Sequence, residues 1–196
     1  MQILQLAFPD WDRDLFLFLN SKHTPALDFP MYAISTYLFW SLCCVALIIF
    51  IIYRNRLWGK WAALFMMAGV AANSIINNLL KIIIMRPRPG HDPILKDIMR
   101  QLEDPGNSYS FFSAHSSNSI CLALFSALYF RNKYYSFFAF VWALSIAYSR
   151  IYVGKHYPLD VFCGILFGVL TGWISYWYYN RFYQRRSLPI EEEQQN

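Results

Sequence analysis

The chain has 196 residues, of which 57% are hydrophobic, 19% aromatic and 15% charged, with a formal net charge of +5. That apolar share exceeds the usual content of a soluble domain, and the charges fall in short clusters between long uncharged runs, which excludes an ordinary water-soluble globular protein. The composition instead predicts an all-α integral membrane protein, a single domain over residues 1–196, whose positive charge reflects membrane topology and not a nucleic-acid partner.

Residues 1–26 hold no membrane span. No cleavable signal peptide is expected, because the first ten residues lack a basic start and Asp10, Asp12 and Asp14 interrupt any apolar run. Asp10 is placed to cap a short helix with Trp11, Leu15, Phe18 and Leu19 on one face, the pattern of an interfacial amphipathic helix. Met31–Tyr53 is free of charge and longer than the roughly 20 residues needed to cross the hydrocarbon. A basic loop with Arg54, Arg56 and Lys60 precedes a second span, Trp61–Leu80. Asn73, Asn77 and Lys81 share one face of that helix, and polar groups at membrane depth are expected to point into the bundle.

Pro87 and Pro89 end the second helix. In the connector that follows, Ile94, Leu95, Ile98, Met99 and Leu102 alternate with Lys96, Asp97, Arg100 and Glu103 at helical spacing, which predicts a second interfacial helix. A third span is expected over Phe111–Phe130 and a fourth over Tyr134–Tyr148, extendable through Ser149–Val153. The fifth begins at Pro158, a favoured first helical residue, and runs to about Tyr179. The polar tail, 187–196, is expected to be disordered. Cys43, Cys44, Cys121 and Cys163 lie inside apolar runs without metal-ligand spacing and read as small apolar residues.

Five spans place Arg54, Arg56, Lys60, Arg131, Lys133, Arg181, Arg185 and Arg186 on one side, which the positive-inside rule makes cytoplasmic. Lys81, Arg86, Arg88, Arg150 and Lys155 then fall on the opposite side, against that rule. Cations in that position are easier to explain if some of them bind an anion.

Three polar clusters meet on that outer side: Lys81 with Arg88, Ser113 with His115, and the stretch from Ser149 to Asp160. A helix N-terminus near Ser113 offers unpaired amides, and Arg88, Arg150 and Lys81 supply forked and point charges suited to phosphate. Such a cradle would stabilise a five-coordinate phosphorus. His156 precedes Asp160 by four residues, so the carboxylate can hold one ring nitrogen while the other attacks. His115 has no carboxylate near it in sequence, which suits a general acid. His23 and His91 read as packing or interface residues. The outer clusters offer one clear carboxylate, Asp160, unlike a magnesium or two-metal site.

These residues resemble the type-2 phosphatidic acid phosphatase superfamily of membrane lipid phosphatases. Lys81, Arg88 and Pro89 match its first motif. Ser149, Arg150, His156 and Asp160 match its third. The second is partly kept, with Ser113 and His115 present but Phe112 and Ala114 in place of proline and glycine. The resemblance implies His156 as a phosphohistidine-forming nucleophile, Asp160 as its orienting group and His115 as the acid. It implies Lys81, Arg88, Ser113 and Arg150 as phosphate ligands, with no metal and no cofactor. It further implies a lipid phosphate substrate in a bacterial inner membrane, with the site on the outer face. Undecaprenyl pyrophosphate and the lipid A phosphates suit that face best; phosphatidylglycerol phosphate and phosphatidic acid are alternatives. A non-catalytic anion channel or transporter is the reading from a different class.

Overall fold

A computed structural model describes residues 8–195, with side chains through residue 187. The expectations that rest on residues 1–7, including the start of the N-terminal segment and the missing signal peptide, lie outside the described residues. The elements are helices α1 (Asp10–Asn20), α2 (Pro25–Ser35), α3 (Tyr37–Arg54), α4 (Gly59–Ile84), α5 (Ala114–Phe130), α6 (Lys133–Tyr152) and α7 (Pro158–Gln195), with a short 3-10 turn at Pro89–His91. Among the described residues three stretches built on helices are long and apolar enough to cross a membrane: Tyr37–Arg54, Gly59–His91 (α4 and the turn after it) and Pro158–Ser187. Leu38, Leu42, Val45 and Ile49 on α3, Phe137, Phe138 and Val141 on α6, and Phe162, Leu166 and Trp173 on α7 are exposed. That apolar girdle would be costly in water and is suited to lipid.

Helix α5 is the axis of the bundle, packed against α4, α6 and α7. It buries residues around its whole circumference, among them His115, Ser119, Leu122 and Phe125, as expected of a helix enclosed by others. Its tightest neighbour is α7. A Cβ added to Gly164, Gly168 or Gly172 would sit 2.7, 2.4 or 2.9 Å from the backbone oxygens of Ser113, Ser117 and Cys121. Glycine at this four-residue spacing lets two backbones approach closely, which substitutes for hydrophobic driving force in lipid. The same approach lets the Ser113 amide donate to the Asp160 carbonyl at 3.0 Å.

Helix ends follow local chemistry. Helix α4 stops at Met85, which is left-handed (φ 51°) and donates its amide to the Lys81 carbonyl; Pro87 forbids continuation. Ser113 is the N-cap of α5, and the Asn132 side chain accepts from the amides of Tyr134 and Tyr135 at the start of α6. Asn73 and Asn77 face inward as expected, donating at 2.6 Å to the Asn118 side chain and to the Phe112 carbonyl.

Several expected boundaries are corrected. The first span breaks at Thr36, whose side chain caps α3 by accepting from the Phe39 amide, so Met31–Ser35 belongs to α2. Asp10 does not cap α1; Pro9 holds that position and Asp10 is the first helical residue. The segment 94–103 is a set of turns and not a helix, because Leu95 alone of its apolar face is fully buried while Ile94 and Ile98 point outward. The fourth span takes up Ser149–Tyr152, as its extension foresaw. Helix α7 continues past Tyr179 to Gln195 in place of a disordered tail, since Glu and Gln are good helix formers.

Gly168→Ala is expected to lower the thermal midpoint in detergent, by an amount corresponding to about 1–3 kcal/mol, because the new methyl meets the Ser117 carbonyl and not a movable side chain. An unchanged midpoint would mean that α5 and α7 separate freely.

Candidate active site

The polar end of the bundle is assembled from the end of α4, the connector, the start of α5 and the turn between α6 and α7. In that turn Gly154 adopts φ 83°, a conformation that favours glycine, and a Cβ there would meet the Arg100 carbonyl at 3.0 Å. The amides of Lys155 and His156 both donate to the Arg150 carbonyl, at 3.0 and 3.1 Å. The chain therefore folds back under the end of α6 and turns His156 inward, where it is buried. Pro158 then starts α7 and sets Asp160 in its first turn.

Asp160 is completely buried and fully satisfied. Its Oδ1 accepts from Arg86 Nη1 at 2.6 Å. Its Oδ2 accepts from the Tyr157 amide at 3.1 Å and from the Ser110 hydroxyl. His156 Nδ1 lies 3.6 Å from Oδ2, beyond hydrogen-bond length, but 3.4 Å from Ser110 Oγ. With the Ser110 proton committed to Asp160, its oxygen is free to accept from Nδ1–H. The sequence pairs His156 with Asp160; the structure sets them side by side at 3.6 Å and adds Ser110, which touches both. The His156 Nε2 makes no hydrogen bond among the described residues. Burial, and then the charges of Arg88, Lys81, Arg150 and Lys155, hold its imidazole well below the usual histidine pKa, so the ring is neutral at physiological pH.

The other predicted residues surround this histidine. Arg88 donates from Nε and Nη2 to the carbonyl and hydroxyl of Ser108, at 2.8 and 2.6 Å, which fixes the plane of its guanidinium. Arg150 Nη1 donates to the Ser35 carbonyl at 2.6 Å, to the Ser35 hydroxyl and to Glu103 at 3.2 Å, while its buried Nε has no partner among the described residues. Lys155 reaches the other Glu103 oxygen at 3.0 Å and the Asp104 carbonyl. Lys81 lies in the last turns of α4, half-buried. Ser113 is turned to capping: its hydroxyl oxygen accepts from the Ser116 hydroxyl at 2.8 Å. His115 is buried, its ring 4.4 Å from that of Tyr37, and its Nε2 has no partner among the described residues. His23 and His91 are exposed and take no part in this group.

A groove of about 290 Å³ runs down from His115 between α3, α4 and α5, walled by Tyr37, Trp40, Met67, Val70 and Ala114. The arrangement thus offers a neutral imidazole with one nitrogen held and the other free, a second buried imidazole, four cations, and an apolar channel beside them. That combination fits transfer of a phosphoryl group carried on an apolar tail.

Comparison with known proteins agrees. The family model of the PAP2 superfamily matches residues 59–184. The chain belongs to the PAP2 superfamily. It is 33% identical to a lipid A 4'-phosphatase of Porphyromonas gingivalis over 84% of this chain and 71% of that protein. It is 26% identical to the undecaprenyl-diphosphatase BcrC of Bacillus subtilis over 80% and 77%. Among solved structures, Aquifex aeolicus LpxE superposes with a TM-score of 0.73 at 27% identity, covering 89% of this chain and 98% of that one. A phosphatidylglycerolphosphate phosphatase from Bacillus subtilis, 22% identical, shares the fold with a TM-score of 0.71, over 90% and 86%.

Four residues of this PAP2 superfamily site escape sequence reading. Ser110 and Glu103 come from the connector, where a serine and a glutamate carry no spacing signal. Arg86 stands two residues before Arg88, and the sequence counts it among the outer-side cations without giving it a partner or a role. Asp12 enters the sequence reading only as a charge that interrupts an apolar run, yet it is fully buried, which is costly for a charge unless paired. The expectation of one carboxylate among the outer clusters is therefore corrected, because folding brings Glu103 and Asp12 in from distant segments. Burial opposes ionisation of Glu103, but Arg150, the Ser35 hydroxyl and Lys155 more than offset it and hold its carboxyl below the usual range.

Glu103 occupies donors on Arg150 and Lys155 that an incoming phosphate would also want. Glu103→Gln should therefore tighten inorganic phosphate binding by roughly three- to tenfold, read by calorimetry or by competitive inhibition, because an unpaired cation seeks another anion. Weaker binding would instead identify Glu103 as the support that aims Arg150.

Proposed function

We propose that this PAP2 superfamily member is a bacterial membrane lipid phosphatase that hydrolyses the phosphate of lipid A, with the 4'-phosphate as the leading substrate. The observation that carries the reading is a buried His156, linked through Ser110 to Asp160 and set among Lys81, Arg88, Arg150 and Lys155, with His115 lining an apolar groove. The similarity to lipid A 4'-phosphatases supports the choice of lipid. The similarity to BcrC keeps undecaprenyl pyrophosphate as the second candidate, and phosphatidylglycerol phosphate and phosphatidic acid behind it.

In this mechanism the phosphate oxygens lie among Lys81, Arg88 and Arg150, with the amides at the start of α5 beside them. The dianion offsets the repulsion that the cations exert on both imidazoles. The lone pair of His156 Nε2 attacks phosphorus while Nδ1–H stays with Ser110 and, through it, Asp160. With the dianion bound, His115 enters this step as the imidazolium; the bond from phosphorus to the lipid oxygen breaks and His115 gives that oxygen its proton, leaving a phosphohistidine and a neutral His115. A water, deprotonated by His115, then attacks phosphorus, which releases inorganic phosphate and restores both histidines. Ser113 supports the site as the cap that orders the start of α5.

Five helices, α3–α7, would cross the bilayer. Helix α5, with 17 residues, spans about 26 Å, close to the hydrocarbon thickness of about 30 Å. The site would open to the outer face of the inner membrane, and α1 would lie at the interface with Trp11 and Phe18 outward, both of which are exposed. The whole chain would act as one domain.

Purified protein should release inorganic phosphate from lipid A in detergent with a chelator present, and His156→Ala should lose at least about a thousandfold in rate. A folded His156→Ala protein with full activity would overturn the mechanism. Phosphate or anion flux without hydrolysis would point to the channel reading, and a preference for undecaprenyl pyrophosphate would reassign the substrate. In a cysteine-free background, Asn107→Cys and Asn132→Cys should react with an impermeant reagent from opposite sides of the membrane. Labelling from one side would break the five-span arrangement.

A further inference from the structure

Arg86 is the feature of this site that a histidine–carboxylate pair does not by itself require. Its Nη1 sits 2.6 Å from Asp160 Oδ1, and both side chains are sealed from solvent. A full positive charge at that distance cancels most of the field that Asp160 would exert on His156. A carboxylate meant to hold an imidazole beside four cations would be poorly served by this neighbour alone.

The far side of Arg86 resolves the conflict. Its Nη2 donates to Asp12 Oδ2 at 2.5 Å, and Asp12 is itself fully buried. Asp12 Oδ1 accepts the Leu159 amide at 2.8 Å, in the first turn of α7 and next to Asp160. The guanidinium is held flat between the rings of Phe8 and Tyr157, each 3.8 Å from its central carbon. Asp12, Arg86 and Asp160 thus form a linear chain of charges −, +, − with a net charge of −1. Arg86 gives Asp160 a rigid partner on Oδ1, which leaves Oδ2 aimed at Ser110 and His156. Asp12 restores the negative charge that Arg86 takes away and ties α7 at the residue before Asp160.

We propose that Asp12 is a positioning residue of the active site, acting through Arg86 and the Leu159 amide to hold Asp160 in place and to keep the charge behind His156 negative. Asp12 stands on α1, outside the region 59–184 matched by the family model, so the N-terminal helix is part of the machinery and not only a membrane anchor. Its polar side is organised for the purpose. Asn20, two turns on, donates to the carbonyls of Arg100, Ile151 and Tyr152 and accepts the Arg100 amide, which docks α1 against the end of α6 and the turn that carries His156.

The proposal rests on the reading that Asp160 orients His156, and the test separates the two. Wild type, Asp12→Asn, Asp160→Asn and the double variant are compared for kcat and KM on the same lipid, with thermal unfolding as the check on folding. Asp12→Asn keeps the shape and one acceptor but removes the charge. It is expected to lower kcat by about tenfold or more with KM changed less than about threefold, because the phosphate-binding cations are untouched. In the Asp160→Asn background the same change should cost far less, as residues acting in series do. Asp12→Glu should recover part of the lost rate, whereas Asp12→Ala, which strips Arg86 of a partner, should lower the unfolding midpoint as well. A folded Asp12→Asn enzyme with wild-type kcat, or full additivity with Asp160→Asn, would overturn the proposal. An unimpaired Asp160→Asn would instead overturn the underlying reading of Asp160.

Discussion

The close approach of α5 and α7 is the constraint on which the rest of the site depends. Three glycines one turn apart on α7 face backbone oxygens of α5 at distances that no side chain would tolerate. In lipid there is little hydrophobic gain in pressing two helices together, so packing and backbone proximity must hold them. That proximity joins the Ser113 amide to the Asp160 carbonyl, which fixes the start of α5 against the start of α7. The first carries Ser113 and His115, the second Asp160, and the turn before it His156. The amides at the start of α5 and both imidazoles are therefore located by one helix–helix contact.

Around that contact the molecule buries an unusual number of charges. Asp12, Arg86, Arg88, Asp92, Arg150 and Asp160 are all classed with the interior. Isolated, any of them would be expensive. They are affordable because each has specific partners: Asp12 and Asp160 flank Arg86, Asp92 accepts from Arg13 at 2.9 Å and from the Tyr157 hydroxyl at 3.1 Å, and Arg150 leans on Ser35 and Glu103. Arg88 is held by neutral oxygens, and Arg150 and Lys155 share a single carboxylate, which leaves the cluster with surplus positive charge. The carboxylates behind His156 are arranged in the opposite sense. The site is thus polarised, positive where phosphate would sit and negative behind the ring.

The apolar exterior fits the same picture. Helix α3 buries little beyond Cys44 and Ile51 and packs mainly on α4, so a channel opens between it and α5, ending at His115. A tail entering sideways from the membrane would reach the polar end without leaving hydrocarbon. The connector, with its turns and its buried Leu95, brings Glu103 and Ser108 to the cations and Ser110 to His156 and Asp160.

Much of this was legible in the chain alone. Apolar runs gave the helices, since about 20 uncharged residues have few other fates. Pro87, Pro158 and Ser113 marked helix ends through local backbone chemistry, and the spaced Lys81, Arg88, Ser113, His115, Arg150, His156 and Asp160 marked the polar end, because their spacing places each at a helix terminus. What the sequence could not decide depended on contacts between segments far apart. The connector's helical periodicity yielded to turns once only Leu95 found a buried place. The Thr36 break lay hidden inside an uninterrupted apolar run. Ser110 touches both His156 and Asp160, Glu103 holds Arg150 and Lys155, and Asp12 holds Arg86, across separations of up to 74 residues. A charged residue in sequence looks the same whether it faces water or a buried partner; only the fold supplies the partner, and with it the physical reason for the charge to be there.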